Sequence, residues 1–304
     1  MTSTGTTLRT ADGERLHALV LPGGPDWVVL AHGFSGSTRV PALRRVAERL
    51  SAYATVLVYD ARGHGRSTGR STLGDREVLD VDAAVAAARA AGARRVATIG
   101  FSMGAAAVVR HAAQVEGYGL GHRPDAVVAV SGTSAWSTRA TASVPLRRLH
   151  LLVETRLGRL VTRLVLRTRV DPRGWQVRPQ APLDCAGRVP VPLLVVHGER
   201  DGYLGAEHAR ALADRAGAEL WVEDFGHAEV AIPPKLVDRV GARVAEVLAR
   251  QHGHDEAPGR TGEGTRSDGT RSEGTRSDGR SSEAEDTTSG AEATTSAGTG
   301  RARA

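Results

Sequence analysis

Short apolar runs alternate along the chain with longer segments in which apolar residues recur every three or four positions. Runs typical of strands buried on both faces lie at 27–31, 55–59, 94–99, 126–130 and 192–197, with a shorter run at 219–222. Segments with helical spacing lie at 40–50, 76–91, 103–115, 207–216 and 234–250. This alternation predicts an α/β fold: a mostly parallel open sheet with helices on both faces.

The start of the chain and one internal stretch depart from this alternation. Residues 6–10 and 15–21 are separated by Ala-Asp-Gly, which predicts two antiparallel strands joined by a turn. Residues 133–190 form a basic, leucine-rich insertion after the sixth strand. We expect a small helical cap in this insertion, because apolar residues recur at helical intervals at 149, 152, 153, 157, 160, 161, 164 and 165.

The last part of the chain has a different composition. From residue 251 onward there is no Leu, Ile, Val, Phe, Trp, Tyr or Met, and Gly-Thr-Arg-Ser-Asp/Glu repeats with a five-residue period at 264–278. Such a segment cannot bury enough apolar surface to offset the chain entropy lost on folding. The sequence therefore predicts one globular domain at 1–250, with the cap insertion at about 133–190, and a disordered low-complexity tail at 251–304.

The net charge of +6 is unevenly distributed. Ten arginines lie at 139–178, where Glu154 and Asp171 are the only acids. The arginines beside the apolar stripe are at 147, 148, 156, 159, 163, 167 and 169. We expect the stripe to face the core and the arginines to face water. The alternative is a basic amphipathic helix that contacts a membrane surface or an acidic substrate.

Composition also narrows the partners and the compartment. The single Cys185 excludes an internal disulfide. Almost all the basic residues are arginine, with Lys235 the only lysine, which we attribute to codon bias and not to phosphate recognition, so no nucleic-acid partner is expected. No apolar segment approaches the about 18 residues needed to span a bilayer, and the N-terminus lacks a signal-peptide pattern. We expect a cytoplasmic protein without an integral membrane segment; the oligomeric state does not follow from the sequence.

One motif directly follows the strand at 94–99. Gly100-Phe-Ser-Met-Gly104 separates that strand from an alanine-rich helix, which predicts a sharp strand–turn–helix with Ser102 at its tip. The positions two before and two after this serine must be nearly free of side chain, and both are glycine. A serine N-cap on an ordinary helix is the alternative, but the strand and helix on either side favour a nucleophile.

A nucleophilic serine needs a base, and the base needs a carboxylate that holds its tautomer. His227 lies in a loop after the last predicted strand, and Asp201 lies in the loop after the strand at 192–197. Because the carboxyl ends of parallel strands share one edge of a sheet, these two residues are expected to converge on Ser102. The order Ser, Asp, His is the one expected of this architecture.

Five motifs together make residues 6–250 resemble the α/β-hydrolase superfamily. They are His-Gly-Phe-Ser at 32–35, Asp-Ala-Arg-Gly-His-Gly-Arg-Ser at 60–67, Gly-Phe-Ser-Met-Gly at 100–104, His-Gly-Glu-Arg-Asp at 197–201 and Phe-Gly-His at 225–227. The resemblance implies that Ser102 is the nucleophile, Asp201 the orienting acid and His227 the general base. It also implies an oxyanion hole formed by the backbone N–H groups of Phe34 and Met103, and acyl transfer to water without metal or cofactor.

The function expected from this resemblance is a serine hydrolase that cleaves a carboxylic ester of a small molecule through an acyl-enzyme. A thioesterase uses the same triad and stays open as an alternative, as does a perhydrolase in which peroxide replaces water. A non-catalytic module that binds an anionic partner through the basic cap is a further alternative. Epoxide and haloalkane chemistry is disfavoured, because those relatives place Asp where this chain has Ser102.

Several polar residues near the motifs have structural interpretations. His32 and His64 lie in glycine-rich loops, where we expect them to organise the loops through hydrogen bonds. Asp60 is expected to be a structural acid paired with Arg62. Glu229, two residues after the predicted base, is expected to be solvated or to support the site indirectly.

Overall fold

The computed structural model describes residues 3–138 and 141–255, and its centre is an eight-stranded sheet. The strands are β1 (Thr4–Arg9), β2 (Arg15–Leu21), β3 (Trp27–Ala31), β4 (Thr55–Tyr59), β5 (Val96–Phe101), β6 (Ala126–Val130), β7 (Leu193–Gly198) and β8 (Glu219–Glu223). Their order is β1-β2-β4-β3-β5-β6-β7-β8. β2 pairs antiparallel with β1 and β4, and all the other pairs are parallel. The mostly parallel open sheet predicted from the sequence is therefore confirmed.

Helices cover both faces of this sheet. They are α1 (Pro41–Leu50), α2 (Glu77–Ala90), α3 (Met103–Ala112), α4 (Val144–Glu154), α5 (Arg156–Leu164), α6 (Pro182–Ala186), α7 (Ala206–Ala216), α8 (Ala228–Ala231) and α9 (Pro234–Asp255). In β3, Val29 and Ala31 pack against α2 and α3, and Val28 and Leu30 pack in the core that holds α1 and α9. Because successive strand residues face opposite cores, both must be apolar, which explains the unbroken apolar runs.

Several element boundaries differ from the predicted ones by one or more residues. β5 continues through Gly100 to Phe101, because the chain turns only at Ser102. α3 ends at Ala112 because Gln114 takes a positive φ of 50°, which a helix cannot continue through. α9 extends to Asp255, so the first five residues of the predicted tail belong to this helix. Residues 256–304, the rest of that tail, lie outside the described residues.

The insertion between β6 and β7 contains the helices α4, α5 and α6. Two tryptophans hold the insertion, one by a bond within it and the other by a bond to the body. Trp136 donates from Nε1 to the Pro179 carbonyl at 2.7 Å, and Trp175 donates to the Thr72 carbonyl at 2.6 Å. The two indole rings lie 5.1 Å apart between their centroids. None of the described helices combines the length and apolarity required to cross a membrane.

The apolar stripe of this insertion does not face the core along its whole length, which corrects the sequence-based expectation. In α4, Val153 is buried, but α5 buries only Gly158 and Thr162. The large apolar residues of α5 and the turn after it are exposed, namely Leu157, Leu160, Val161, Leu164 and Val165. The physical reason lies in the crossing of the two helices. A Cβ atom on Gly158 would overlap main-chain atoms of α4, so α5 packs through its side-chain-free position.

Helix α6 packs the end of the insertion onto the body. Its Cys185 is fully buried in a small cluster with Val78 and Leu79 of α2 and with Ala113 and Val115 after α3. The thiol donates to a carbonyl one turn earlier at 3.3 Å, and burial raises its pKa to about 11. This thiol is therefore part of the packing of α6 and has little nucleophilic character.

Candidate active site

The turn between β5 and α3 holds Ser102 in a backbone conformation that is unusual for a residue with a side chain. Its φ is 51° and its ψ is −111°. The turn is also too tight for side chains beside it. A Cβ on Gly100 would overlap the main chain of Gly104, and one on Gly104 would overlap the carbonyl of Ala31. This strained strand–turn–helix presents the serine hydroxyl beyond the end of the sheet, as a nucleophile elbow does.

A chain of hydrogen bonds links this hydroxyl to an imidazole and a carboxylate. His227 Nδ1 lies 2.6 Å from Asp201 Oδ2, and His227 Nε2 lies 2.9 Å from Ser102 Oγ. An ionised carboxylate only accepts, so Nδ1 carries the proton and Nε2 of the neutral ring accepts from the serine hydroxyl. The structure thus brings together the three side chains proposed from the sequence, in the hydrogen-bonded order that proton transfer requires.

The loop after β7 holds the carboxylate in place. The Asp201 side chain is fully buried, and its Oδ1 accepts from the backbone N–H groups of Tyr203 at 2.9 Å and Leu204 at 3.1 Å. Burial alone raises the pKa of this carboxyl. The hydrogen bond from His227 and the two backbone donors outweigh burial, so the pKa of Asp201 lies below its usual range. This carboxyl group is therefore ionised while it orients the imidazole.

The loop after β8 positions the imidazole. His227 precedes α8, and the next residue, Ala228, has a positive φ of 54° and donates from its backbone N–H to Ser131 Oγ at 3.1 Å. The ring of Tyr203 lies 4.6 Å from the His227 ring between centroids, at an interplanar angle of 31°. The Tyr203 ring and the Asp201 carboxylate therefore both contact the imidazole and hold it in place.

The loop after β3 carries the proposed oxyanion donor Phe34 and lies against the elbow, which carries the other proposed donor, Met103. A Cβ on Gly33 would lie 3.3 Å from the Ser102 Cβ. Phe34 follows directly, and within residues 3–138 and 141–255 its backbone N–H has no hydrogen-bond acceptor. Met103 is the first residue of α3, where a backbone N–H has no acceptor within the helix. Both groups can therefore donate to a ligand.

Glu229 anchors the loop after β3 to the helix that follows His227. Its buried carboxylate accepts from the Gly33 N–H at 3.0 Å and therefore joins α8, next to His227, to the loop that carries Phe34. Sequence reasoning gave Glu229 a solvated or indirect role and did not identify this contact. Its spacing of two residues from His227 was the only sequence signal.

Two buried histidines brace the neighbouring loops. His32 Nε2 accepts from the Ala61 N–H at 2.9 Å, so its Nδ1 donates to the Gly33 carbonyl at 2.7 Å. His64 Nδ1 donates to the Arg62 carbonyl at 2.9 Å. Burial, together with the neighbouring His32, lowers the pKa of His64 to about 3. The His64 ring also packs edge-on against the His32 ring, 5.0 Å between centroids, so the two rings connect their loops. Both lie outside the hydrogen-bonded chain of Ser102, His227 and Asp201.

The expected pairing of Asp60 with Arg62 is wrong. Asp60 accepts from the backbone N–H groups of Thr38 at 2.6 Å and Arg66 at 2.9 Å. The Arg62 guanidinium pairs instead with Asp80 of α2 and with Asp12, at 2.8 Å each. Arg62 extends away from its own loop because a fully buried carboxylate on α2 requires a cation, and Asp60 is already satisfied by main-chain donors.

Sequence reasoning missed two side chains beside the triad. Tyr203 contacts the imidazole ring, and Ser131 holds the backbone of the base loop. Both lie one or two residues beyond a strand or a predicted site residue. Their sequence signal is therefore only their position at the carboxyl edge of the sheet.

Solved structures with the same fold include several esterases. The Pyrococcus furiosus esterase Pf2001 has a TM-score of 0.63 and 24% identity over 82% of this chain and 92% of that one. Est1E from Butyrivibrio proteoclasticus with bound ferulic acid has a TM-score of 0.55 and 19% identity over 80% and 99%. The esterase domain of a Rhodothermus marinus protein has a TM-score of 0.53 and 20% identity over 82% and 99%.

A comparison of the sequence with curated proteins found no match, but a family profile does match it. The sequence profile of the alpha/beta hydrolase family matches residues 28–260, more than half of the chain. That range includes the elbow, the acid loop and the base loop described above. The chain therefore belongs to the alpha/beta hydrolase family.

Proposed function

We propose that the protein is a serine hydrolase that cleaves carboxylic esters through an acyl-enzyme. The observation that supports this most directly is the hydrogen-bonded chain from Ser102 through His227 to Asp201 at a strained elbow. Esterases among the proteins of similar fold support the same reaction class. A protein that only binds a partner would not need these three groups in that order.

In the first half of the proposed reaction, Ser102 Oγ attacks the ester carbonyl carbon as its proton passes to His227 Nε2. The electron pair of the carbonyl π bond moves to the carbonyl oxygen. This oxygen becomes an oxyanion, which accepts hydrogen bonds from the N–H groups of Phe34 and Met103. Each such donor is typically worth about 2.7 to 4 kcal/mol in the transition state. The intermediate then collapses, the bond to the leaving alkoxide breaks, and that alkoxide takes the proton from Nε2.

In the second half, water replaces the alcohol. His227 Nε2 takes a proton from the water, whose oxygen attacks the acyl carbon and forms the second oxyanion. Collapse breaks the bond to Ser102 Oγ, which recovers its proton from His227, and the carboxylic acid leaves. Asp201 stays ionised throughout and stabilises the imidazolium that forms in each half.

Covalent labelling tests the nucleophile. The full chain is incubated with a fluorophosphonate, and the adduct is located by peptide mass spectrometry. We expect one adduct at Ser102, no labelling of the Ser102→Ala variant, and no labelling of a thermally unfolded sample. Absence of an adduct, under conditions in which an authentic serine hydrolase reacts, overturns the proposal.

A substrate panel then separates esters from thioesters. p-Nitrophenyl esters of increasing acyl length are compared with acyl-CoA thioesters of the same lengths, and kcat/KM is measured for each. The proposed ester preference requires that the best ester exceed the matched thioester. The reverse order identifies a thioesterase that uses the same three residues.

A further inference from the structure

The cap helix α5 exposes its large apolar side chains. Leu157, Leu160, Val161, Leu164 and Val165 form what we name the α5 face, and their exposed fractions are 72, 50, 38, 69 and 71%. They follow one another at positions i, i+3, i+4, i+7 and i+8, which lie on one side of a helix. Most helices of a soluble domain bury such a stripe, so the α5 face lacks the contact that its composition favours.

Hydrogen bonds at the α4–α5 corner fix this orientation. Thr155 Oγ1 donates to the Leu151 carbonyl at 2.8 Å and accepts from the Gly158 N–H at 3.0 Å, so one side chain caps the end of α4 and the start of α5. The Arg159 guanidinium donates to the carbonyls of Val153 at 3.2 Å and Glu154 at 2.6 Å. Rotating α5 to bury its leucines would break both sets of bonds.

Cations flank the α5 face. Arg156, Arg163 and Arg167 are exposed, and they form no ion pair with any residue that the structure describes. A surface in which apolar side chains adjoin unpaired guanidinium groups fits a partner with an apolar interior and an anionic boundary.

Two other occupants fit this surface less well. A second copy of the chain, joined through the α5 face, would offer apolar side chains to the leucines but no carboxylate to the arginines, because residues 156–167 contain no Asp or Glu. Residues 256–304 contain acidic residues but no large apolar residue, so they cannot fill the space above the leucines. An anionic bilayer supplies both phosphates for the arginines and an acyl boundary for the leucines.

We propose that the α5 face docks the protein on membranes that contain anionic lipids. The leucines enter the boundary between headgroups and acyl chains, and the flanking arginines bind lipid phosphates. The start of α4 is bonded to the acid loop, since Ser143 Oγ donates to the Tyr203 carbonyl at 2.8 Å. Docking would therefore place a lipid surface beside the cap, and the cap itself adjoins His227. Only this last consequence depends on the proposed function; the docking itself does not.

Vesicle binding tests the docking independently of catalysis. The full chain is sedimented with vesicles of phosphatidylcholine alone and with vesicles that contain about one-third phosphatidylglycerol. We expect binding only to the anionic vesicles, with release as the salt concentration rises. The Ser102→Ala variant is expected to bind equally, so a failure of the proposed chemistry and a failure of the docking are distinguishable.

Matched variants separate the apolar and the charged contributions. Leu157→Gln/Leu164→Gln and Arg156→Gln/Arg163→Gln are each expected to weaken binding to anionic vesicles by about tenfold or more. Val230→Gln removes a side chain with the same 69% exposure as Leu164, and Arg44→Gln/Arg45→Gln removes two exposed arginines of α1. We expect these controls to bind within about twofold of the unaltered chain, and circular dichroism verifies that all variants are folded.

Three results overturn the proposal. One is a chain that does not bind anionic vesicles, and another is a pair of α5 variants that bind as well as the controls. The third is a stable dimer in analytical ultracentrifugation that Leu157→Gln/Leu164→Gln converts to monomer, because the α5 face is then an interface between two copies.

Discussion

The two regions that meet at the candidate site are built in opposite ways. At the sheet edge, Ser102, Asp201 and His227 follow buried strands, and hydrogen bonds hold each side chain. In the cap, α5 rests on Gly158 and Thr162 and leaves its large apolar side chains in water. The sheet edge holds side chains that hydrogen-bond with one another, whereas main-chain contacts hold α5 and leave its large apolar side chains without a partner among the described residues.

The largest effect should come from the orienting acid at the sheet edge. We expect Asp201→Asn to lower kcat by about 10⁴-fold, because an amide can donate to Nδ1 and favour the tautomer that cannot accept from Ser102. Hydrolysis of a p-nitrophenyl ester measures this. Glu199→Gln is the matched control, since this exposed acid lies two residues earlier, and its kcat should stay within about twofold. A loss of less than tenfold in Asp201→Asn would remove the main contrast between the two regions.

A smaller effect is expected from the anchor of the loop after β3. Glu229→Ala leaves the buried Gly33 N–H without its acceptor, which destabilises the loop that carries Phe34 by about 1 to 3 kcal/mol. Because a displaced loop aligns the Phe34 N–H less well, kcat should fall, but by less than the about 10²- to 10³-fold that loss of a whole oxyanion donor costs. Glu229→Gln keeps an oxygen in the same place and should stay within a few-fold of the original kcat. If both variants lose the same activity, the carboxylate charge matters and the anchoring interpretation is wrong. KM for a small ester should change little in either variant.

The buried loops should also respond to pH. Because the folded pKa of His64 is about 3 against the usual 6.5, the unfolded chain takes up a proton first as the pH falls. The contribution of His64 to the free energy of unfolding should therefore be fully retained above pH 6.5 and decrease by about 1.4 kcal/mol per pH unit between 6.5 and 3. His64→Asn keeps a donor for the Arg62 carbonyl without the titration. Urea unfolding at several pH values should show a shallower acid slope for this variant; an unchanged slope contradicts the assignment.

The smallest effect should come from the exposed cap. Arg156→Gln/Arg163→Gln should leave kcat and KM for a short neutral ester within about twofold, because both guanidinium groups lie in solvent. Arg159→Gln is the informative comparison, since its side chain caps the end of α4 and its loss should lower the melting temperature. A large loss of turnover in the double variant would mean that the cap arginines contact the substrate.

The sheet edge could be predicted from the sequence because local rules determine it. Buried strands appear as apolar runs, the elbow needs Gly100 and Gly104, and parallel strands bring the loops after them to one edge. The three side chains could be predicted from the strands that they follow, without information on the distances between them in space. Prediction failed where a contact depends on side-chain packing and not on the order of the strands: Arg62 pairs with Asp80 of α2 and not with its neighbour Asp60.

The orientation of α5 could not be predicted from its periodicity. Spacing identifies which residues share a side of a helix but does not say whether another element covers that side. The decisive residue is Gly158, whose missing side chain allows close contact with α4 and turns the leucines outward. Glu229 was underestimated for a related reason, since its partner Gly33 lies 196 residues away.

Because Cys185 is buried, the rate at which its thiol reacts with an added reagent measures local opening of the structure. Its thiol has no exposed surface and is almost entirely protonated at neutral pH, so a water-soluble alkylating reagent reaches it only when α6 separates from α2 and α3. Because α6 is the last helix of the insertion, the alkylation rate reports how often this end of the insertion detaches from the body. The same rate, followed in the presence of vesicles, would show whether contact at one end of the insertion slows that detachment at the other.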